Sequence, residues 1–234
     1  MQIRNILYKS KITDPKAIPI IINNRNRYTT LKQLIDSLEK RGYHNIYIID
    51  NNSSYPPLLE YYKNIKHKIF FLHKNIGYLA LWKSGVYKNF NKDFYVYTDS
   101  DVVPIEECPD DFMRLFHDAL IHNSDVQKAG FSLKIDDLPD YYLHKQDVVQ
   151  WEKRHFEKSV SNLFYEAPID TTFALYRPGA KGRASQLRNF RSKYPYEARH
   201  MPWYVDTNKI EAEEKYYIEN SNTSTHWTKQ NSKH

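Results

Sequence analysis

The sequence holds a single cysteine, Cys108, among 234 residues. One thiol cannot build an internal disulfide framework, and no Cys/His array has the spacing of a zinc site. Such usage fits a reducing compartment, and a cytoplasmic protein is expected. Long apolar runs are also missing. The first residues, "MQIRNILYKSKITDPKAIP", contain no uninterrupted apolar stretch of signal-peptide length, and nothing later approaches the about 20 apolar residues of a membrane span. The expectation is a soluble chain whose only route to a membrane is peripheral contact. No internal repeat is present. Neither charge sign dominates: 34 basic residues face 28 acidic ones, a net of +6. That excess suits an anionic partner, and it serves simple solubility equally well.

What is present is an alternation of strands and helices. "IPIIIN", Ile18 to Asn23, is a short β-branched run of the kind buried on both sheet faces. In "YTTLKQLIDSLEKRGYHN", Leu31, Leu34, Ile35 and Leu38 fall at helical spacing, with Thr29 or Thr30 as N-cap and Gly42 as the stop. "NIYIID" predicts a second strand, followed by "DNNSSYPP", where Pro56 or Pro57 can open a helix. "KIFFLH" predicts a third strand, "NIGYLALWKSGVYKN" a loop and helix, and "FYVYTD" a fourth strand. Repeated βα units imply an α/β fold with a mostly parallel central sheet flanked by helices. A single domain over 1–227 is expected, with "TKQNSKH", 228–234, as a disordered tail.

In such sheets ligands bind beyond the carboxyl ends of the strands. The polar residues there are Asn23, Asn24, Arg25, Asp50, Asn51, Asn52, Asn75, Gly77, Asp99 and Asp101. "FYVYTDSDVVP" is the most pointed segment: its two acids stand at i and i+2, so in extended backbone both carboxylates leave on one side. Like charges so placed need a cation between them, or else they form an Asp-rich turn before Pro104.

The order "NNRNRY", "IIDNNS", "HKNIGYLALWKSG", "YTDSDVVP", each after an apolar strand, resembles the nucleotide-sugar half of a GT-A glycosyltransferase of the family 2 type. The resemblance covers roughly the first 105 residues. It implies a GT-A (Rossmann-like nucleotide-diphospho-sugar transferase) fold, with 1–105 as nucleotide-sugar-binding half and 106–227 as acceptor-binding half. It implies a divalent metal, Mn2+ or Mg2+, bridging the diphosphate of a UDP-sugar donor, and a glycan or lipid-linked glycan as acceptor. Asp101 would meet the metal directly, while Asp99, with Ser100 between them, would serve the ribose or act through water. Asp50 would bind the base or ribose of the donor, and Asn24, Arg25, Asn75 and Gly77 would line the nucleotide. Asp50 also reads as an Asx turn, and Arg27 competes with Arg25 for a phosphate.

The second half is less regular. "DDFMRLFHDALIHN" and "LHKQDVVQWEKRHFEK" predict helices, and "VQKAGFSLKI" predicts a strand. Inverting members of the family place an acceptor-deprotonating acid about where "YEAPIDTTFALYRPG" lies. Asp170 is that candidate, with Glu166 in reserve; Ile169 stands where the usual Glu-Asp pairing has its first acid. His200 in "EARHMPWYVD" would complete the metal site, in competition with His226, with Arg199 beside it for phosphate and Trp203 or Tyr204 for stacking. "GAKGRASQLRNFRSKYP" gathers Lys181, Arg183, Arg188 and Arg191 as a lid or a solvated basic loop.

Two other classes compete. A nucleotidyltransferase needs a glycine-rich phosphate loop after the first strand, and "NNRNRYTT" has no glycine. A nucleic-acid or anionic-surface binder wants a dense basic tract, whereas these bases are spread along the chain.

Overall fold

The computed structural model describes residues 12–182 and 188–221. The main sheet contains β1 (Ile20–Asn24), β2 (Ile46–Asp50), β3 (Lys68–Phe71), β4 (Tyr95–Asp99), β6 (Val126–Gly130), β8 (Phe164–Glu166), β9 (Ala174–Tyr176) and β10 (Arg188–Ser192). Its order is β3-β2-β1-β4-β9-β6-β10-β8. β9 runs antiparallel to both β4 and β6, and β8 antiparallel to β10; the other strands share one direction. The expected mostly parallel sheet is therefore found. A smaller sheet joins β5 (Val102–Pro104), β11 (Glu197–His200) and β7 (Ser132–Leu133), with β11 in the middle.

Helices cover both faces, and β1 shows why. Ile20 and Ile22 enter one core cluster and Ile21 the other, as period-2 alternation demands of a strand buried on both sides. On the first face lie α1 (Thr29–Lys40), α2 (Pro56–Tyr62) and α4 (Phe112–His122). On the second lie α3 (Ala80–Lys83) and the turn at Val86–Asn89. α1 buries Leu31, Leu34, Ile35 and Leu38 as its spacing predicted, each burial stabilising the fold by about 1.5–3 kcal/mol. α5 (Lys145–Lys153) and α6 (Ala212–Glu219) complete the set.

The structure departs from the sequence reading in three places. Neither Thr29 nor Thr30 caps α1: Tyr28 precedes the helix without a side-chain cap, and the Glu213 carboxylate, at the start of α6, accepts from the N–H groups of Tyr28 and Thr29. "VQKAGFSLKI" is divided between β6 and β7, which belong to different sheets. Arg188 and Arg191 lie in a strand, not a loop. Arg183 and His226 fall outside the described residues.

Candidate active site

The carboxyl ends of β1, β2 and β4 form one rim, and two non-local pairings bring the second half of the chain to it. Because β9 is antiparallel to β4, the segment entering β9 arrives where β4 ends, and the Asp99 N–H donates to the Thr171 carbonyl at 3.0 Å. β11 pairs with β5 in the register His200 to Val102, and the Met201 N–H donates to the Asp101 carbonyl at 2.8 Å. Asp99, Asp101, Asp170 and His200 consequently line one cleft of about 770 Å3, together with Arg27 and Lys128. That volume falls within the about 300–1,000 Å3 of small-ligand sites.

The two acids of "TDSD" have different environments. Asp99 accepts from Asn23 Nδ2 at 3.2 Å through Oδ1 and from the Thr171 hydroxyl through Oδ2. Burial, and then the charge of Asp101, push its carboxyl up to about 7. Asp101 is the opposite case: its Oδ1 is buried without a hydrogen-bond partner, 3.7 Å from His200 Nε2. The other ring nitrogen of His200, Nδ1, also lacks a partner. Burial outweighs the attraction of Asp101 and pulls the imidazole below its ordinary value, which favours the neutral, metal-ligating form. The ring packs 4.7 Å from that of Trp203, which is buried.

An oxygen and a nitrogen 3.7 Å apart are too distant to hydrogen bond and close enough to share one ion. Among the described residues, no three His, Cys, Asp or Glu side chains form a metal-holding group. The donor set thus fits a hard cation that completes its shell with phosphate oxygens and water, and it does not fit a metal held by protein alone. Arg27 stands in the same wall, buried, ion-paired with Glu214 and stacked 3.6 Å over the Tyr217 ring.

Asp170 is exposed and lies in the segment between β8 and β9. The reserve acid Glu166 is bonded to Lys158 at 2.6 Å and to Arg188 at 2.8 Å, contacts that hold its carboxyl below the usual range and make it the poorer base.

The other residues expected from the sequence are on the rim but do not line the cleft. Asp50 accepts from the Ser53 N–H at 2.9 Å and the Tyr62 hydroxyl at 3.0 Å, and Asn24 donates to that same hydroxyl at 2.9 Å. Arg25 donates to the carbonyls of Asn51, Asn52 and Asn220. Asn75 accepts from the Gly77 N–H, and Gly77 adopts φ +79°, a left-handed conformation that favours glycine. Asn51 clips this turn to the end of β2 through the Gly77 carbonyl and the Ile76 N–H. Ser100 is buried. Arg199 is engaged by Glu106 and Asp137, and Tyr204 by Asp137.

Sequence reasoning missed Lys128, Glu152 and Tyr217 and placed Arg191 in a lid or solvated loop; all four line the cleft, Glu152 and Arg191 as a buried ion pair. A lysine inside the apolar run "VQKAGF" was the one available signal. Nothing local marks the other three.

No protein-family model and no curated protein sequence matches the chain. Solved structures do. The chain is similar to Staphylococcus aureus TarS (1–349) at 14% identity and TM-score 0.47, covering 79% of this chain and 60% of that one. It is similar to GalNAc-T7, solved with UDP, GalNAc and Mn2+, at 16% identity and TM-score 0.46, covering 78% and 42%. It is also similar to glucosyl-3-phosphoglycerate synthase from Mycobacterium tuberculosis, solved with Mn2+ and UDP-glucose, at 14% identity and TM-score 0.40, covering 69% and 56%. The chain spans only about half the length of these proteins. At these identities the likeness is one of chain path.

Proposed function

We propose that this chain is a metal-dependent glycosyltransferase that moves a hexose from a UDP-sugar to a hydroxyl of a glycan or glycoconjugate, with inversion. The observation that carries the reading is the meeting of Asp99, Asp101, His200 and Asp170 in one cleft, with Asp101 Oδ1 buried and unpartnered 3.7 Å from His200 Nε2. A buried polar atom without a partner is costly, and a ligand that supplies one removes that cost.

In this reading Asp101 and His200 hold a divalent cation, and Asp99 shapes the floor beneath the donor. When bound, the cation neutralises the charge that builds on the departing diphosphate. Arg27 adds a fixed guanidinium to the same wall, suited to a phosphate oxygen. Asp170, exposed to the cleft, takes the proton of the incoming acceptor hydroxyl.

The competing readings have weaker support. Arg188, Arg191 and Arg199 are paired with acids, so these three arginines of the second half do not form an open basic stripe of the kind nucleic acid requires. The first strand leads into "NNRNRYTT" without a phosphate-cradling glycine loop.

The test of the reaction is release of UDP from a panel of UDP-sugars with Mn2+ present. Asp170→Asn is expected to lower turnover by about 10²–10⁴-fold while leaving the affinity for UDP within about twofold. Unchanged turnover in that variant would remove Asp170 from the mechanism.

A further inference from the structure

We propose that Lys128 is a positioning residue: its ammonium ties down the carbonyls of Ile169 and Asp170 and so fixes where the Asp170 carboxylate stands in the cleft. The proposal rests on the reading of Asp170 as base, and it begins from an anomaly. Lys128 lies in the middle of β6, a strand of the sheet core, and is 4% exposed. A lysine is tolerated there only if its charge and its N–H donors find partners. Nζ lies 2.5 Å from the Ile169 carbonyl, 3.3 Å from the Asp170 carbonyl and 3.3 Å from the Tyr176 hydroxyl.

The segment it grips belongs to no strand or helix, yet its carbonyls are bound one after another. The Pro168 carbonyl accepts from Arg191 Nε at 2.8 Å, and those of Ile169 and Asp170 accept from Lys128. The Thr171 carbonyl accepts from the Asp99 N–H at 3.0 Å. Arg191 is itself anchored by Glu152 at 2.7 Å. Four consecutive backbone groups are thus fixed from β4, β6 and β10, while the Asp170 side chain remains exposed. That is the design of a pre-organised reactive group: a held backbone, a free carboxylate, and anchors on rigid strands. An apolar residue would pack β6 equally well but could not bind the carbonyls.

The groups facing the ammonium are the Asp170 carboxylate, Arg191 on β10 and Tyr176 on β9, over whose ring it lies at 5.0 Å. Burial lowers the amine to about 8, offset in part by Asp170 and reinforced by Arg191. The ammonium is therefore half-titrated at about pH 8, and the grip weakens as the pH rises through that value.

The experiment compares wild type, Lys128→Met, Lys128→Arg and Asp170→Asn in the full chain, by three measurements. In Lys128→Met, the rate of cleavage within 168–172 by a nonspecific protease under native conditions is expected to rise at least about tenfold. Calorimetric affinity for UDP with Mn2+ should stay within about twofold. UDP release from the UDP-sugar panel should fall about 10²-fold in kcat with KM little changed, the cost of a misplaced reacting group. Lys128→Arg should restore part of kcat and move the alkaline limb of the pH profile upward from about 8. Unchanged cleavage within 168–172, or unchanged kcat, in Lys128→Met overturns the proposal. If that variant does not fold, an alkaline limb identical in wild type and Lys128→Arg overturns it. If UDP does not bind, or Asp170→Asn turns over normally, the glycosyltransferase reading fails separately, and the cleavage measurement still decides whether Lys128 holds the segment.

Discussion

Asp50 ends β2 and Asp101 lies in the turn just past β4, both at the same rim, and they differ in what their oxygens meet. Asp50 is closed upon itself: Ser53 and Tyr62 saturate it, and Tyr62 in turn serves Asn24. Asp101 has a buried oxygen with no partner and faces a histidine whose Nδ1 is also unpartnered. Position at a strand end therefore says little about function. Satisfaction says more when joined to a cleft: a hydrogen-bonded carboxylate holds the fold together, and a buried unpartnered one on a ligand-sized cleft is where a bound group lowers a cost.

That contrast can be broken by measuring stability. The largest effect is expected at the Glu152–Arg191 pair, where both side chains are buried. Arg191→Met strands a buried carboxylate and frees the Pro168 carbonyl, so urea unfolding should lose about 3–5 kcal/mol. Asp50→Ala should cost less, about 1–3 kcal/mol, for the abandoned donors of Ser53 and Tyr62, and should leave nucleotide affinity nearly unchanged if its role is structural. A large drop in UDP affinity in this variant would return Asp50 to the donor site that the family resemblance implied.

The same contrast explains how much could be read in advance. The strands and α1 in the first half were legible because their information is local: β-branched runs, i/i+3/i+4 spacing and a glycine stop at Gly42, which adopts φ +82°. The cap of α1 was not, since Glu213 reaches it from the far end of the chain and displaces the threonines that sequence spacing favoured. The site divided in the same way. Asp99, Asp101, Asp170 and His200 were recognisable from type and order, and they meet in the cleft. Lys128 and Tyr217 were not recognisable, and Arg191 was read as lid or loop, because their contacts depend on β6, β10 and α6 docking across the sequence. Arg25 looked as good a phosphate ligand as Arg27, but three carbonyls hold the first and the cleft receives the second.

The most direct test of the central claim is a calorimetric titration of wild type and Asp101→Ala with UDP and with GDP, each with and without Mn2+, alongside urea unfolding of both proteins. The account predicts Mn2+-dependent binding of UDP by the wild type, lost in the variant, with stability unchanged to within about 1 kcal/mol, because Asp101 Oδ1 has no partner to lose. Binding that is indifferent to Mn2+ and to Asp101, or absent for both nucleotides in the folded wild type, would contradict it and leave the paired aspartates as a turn.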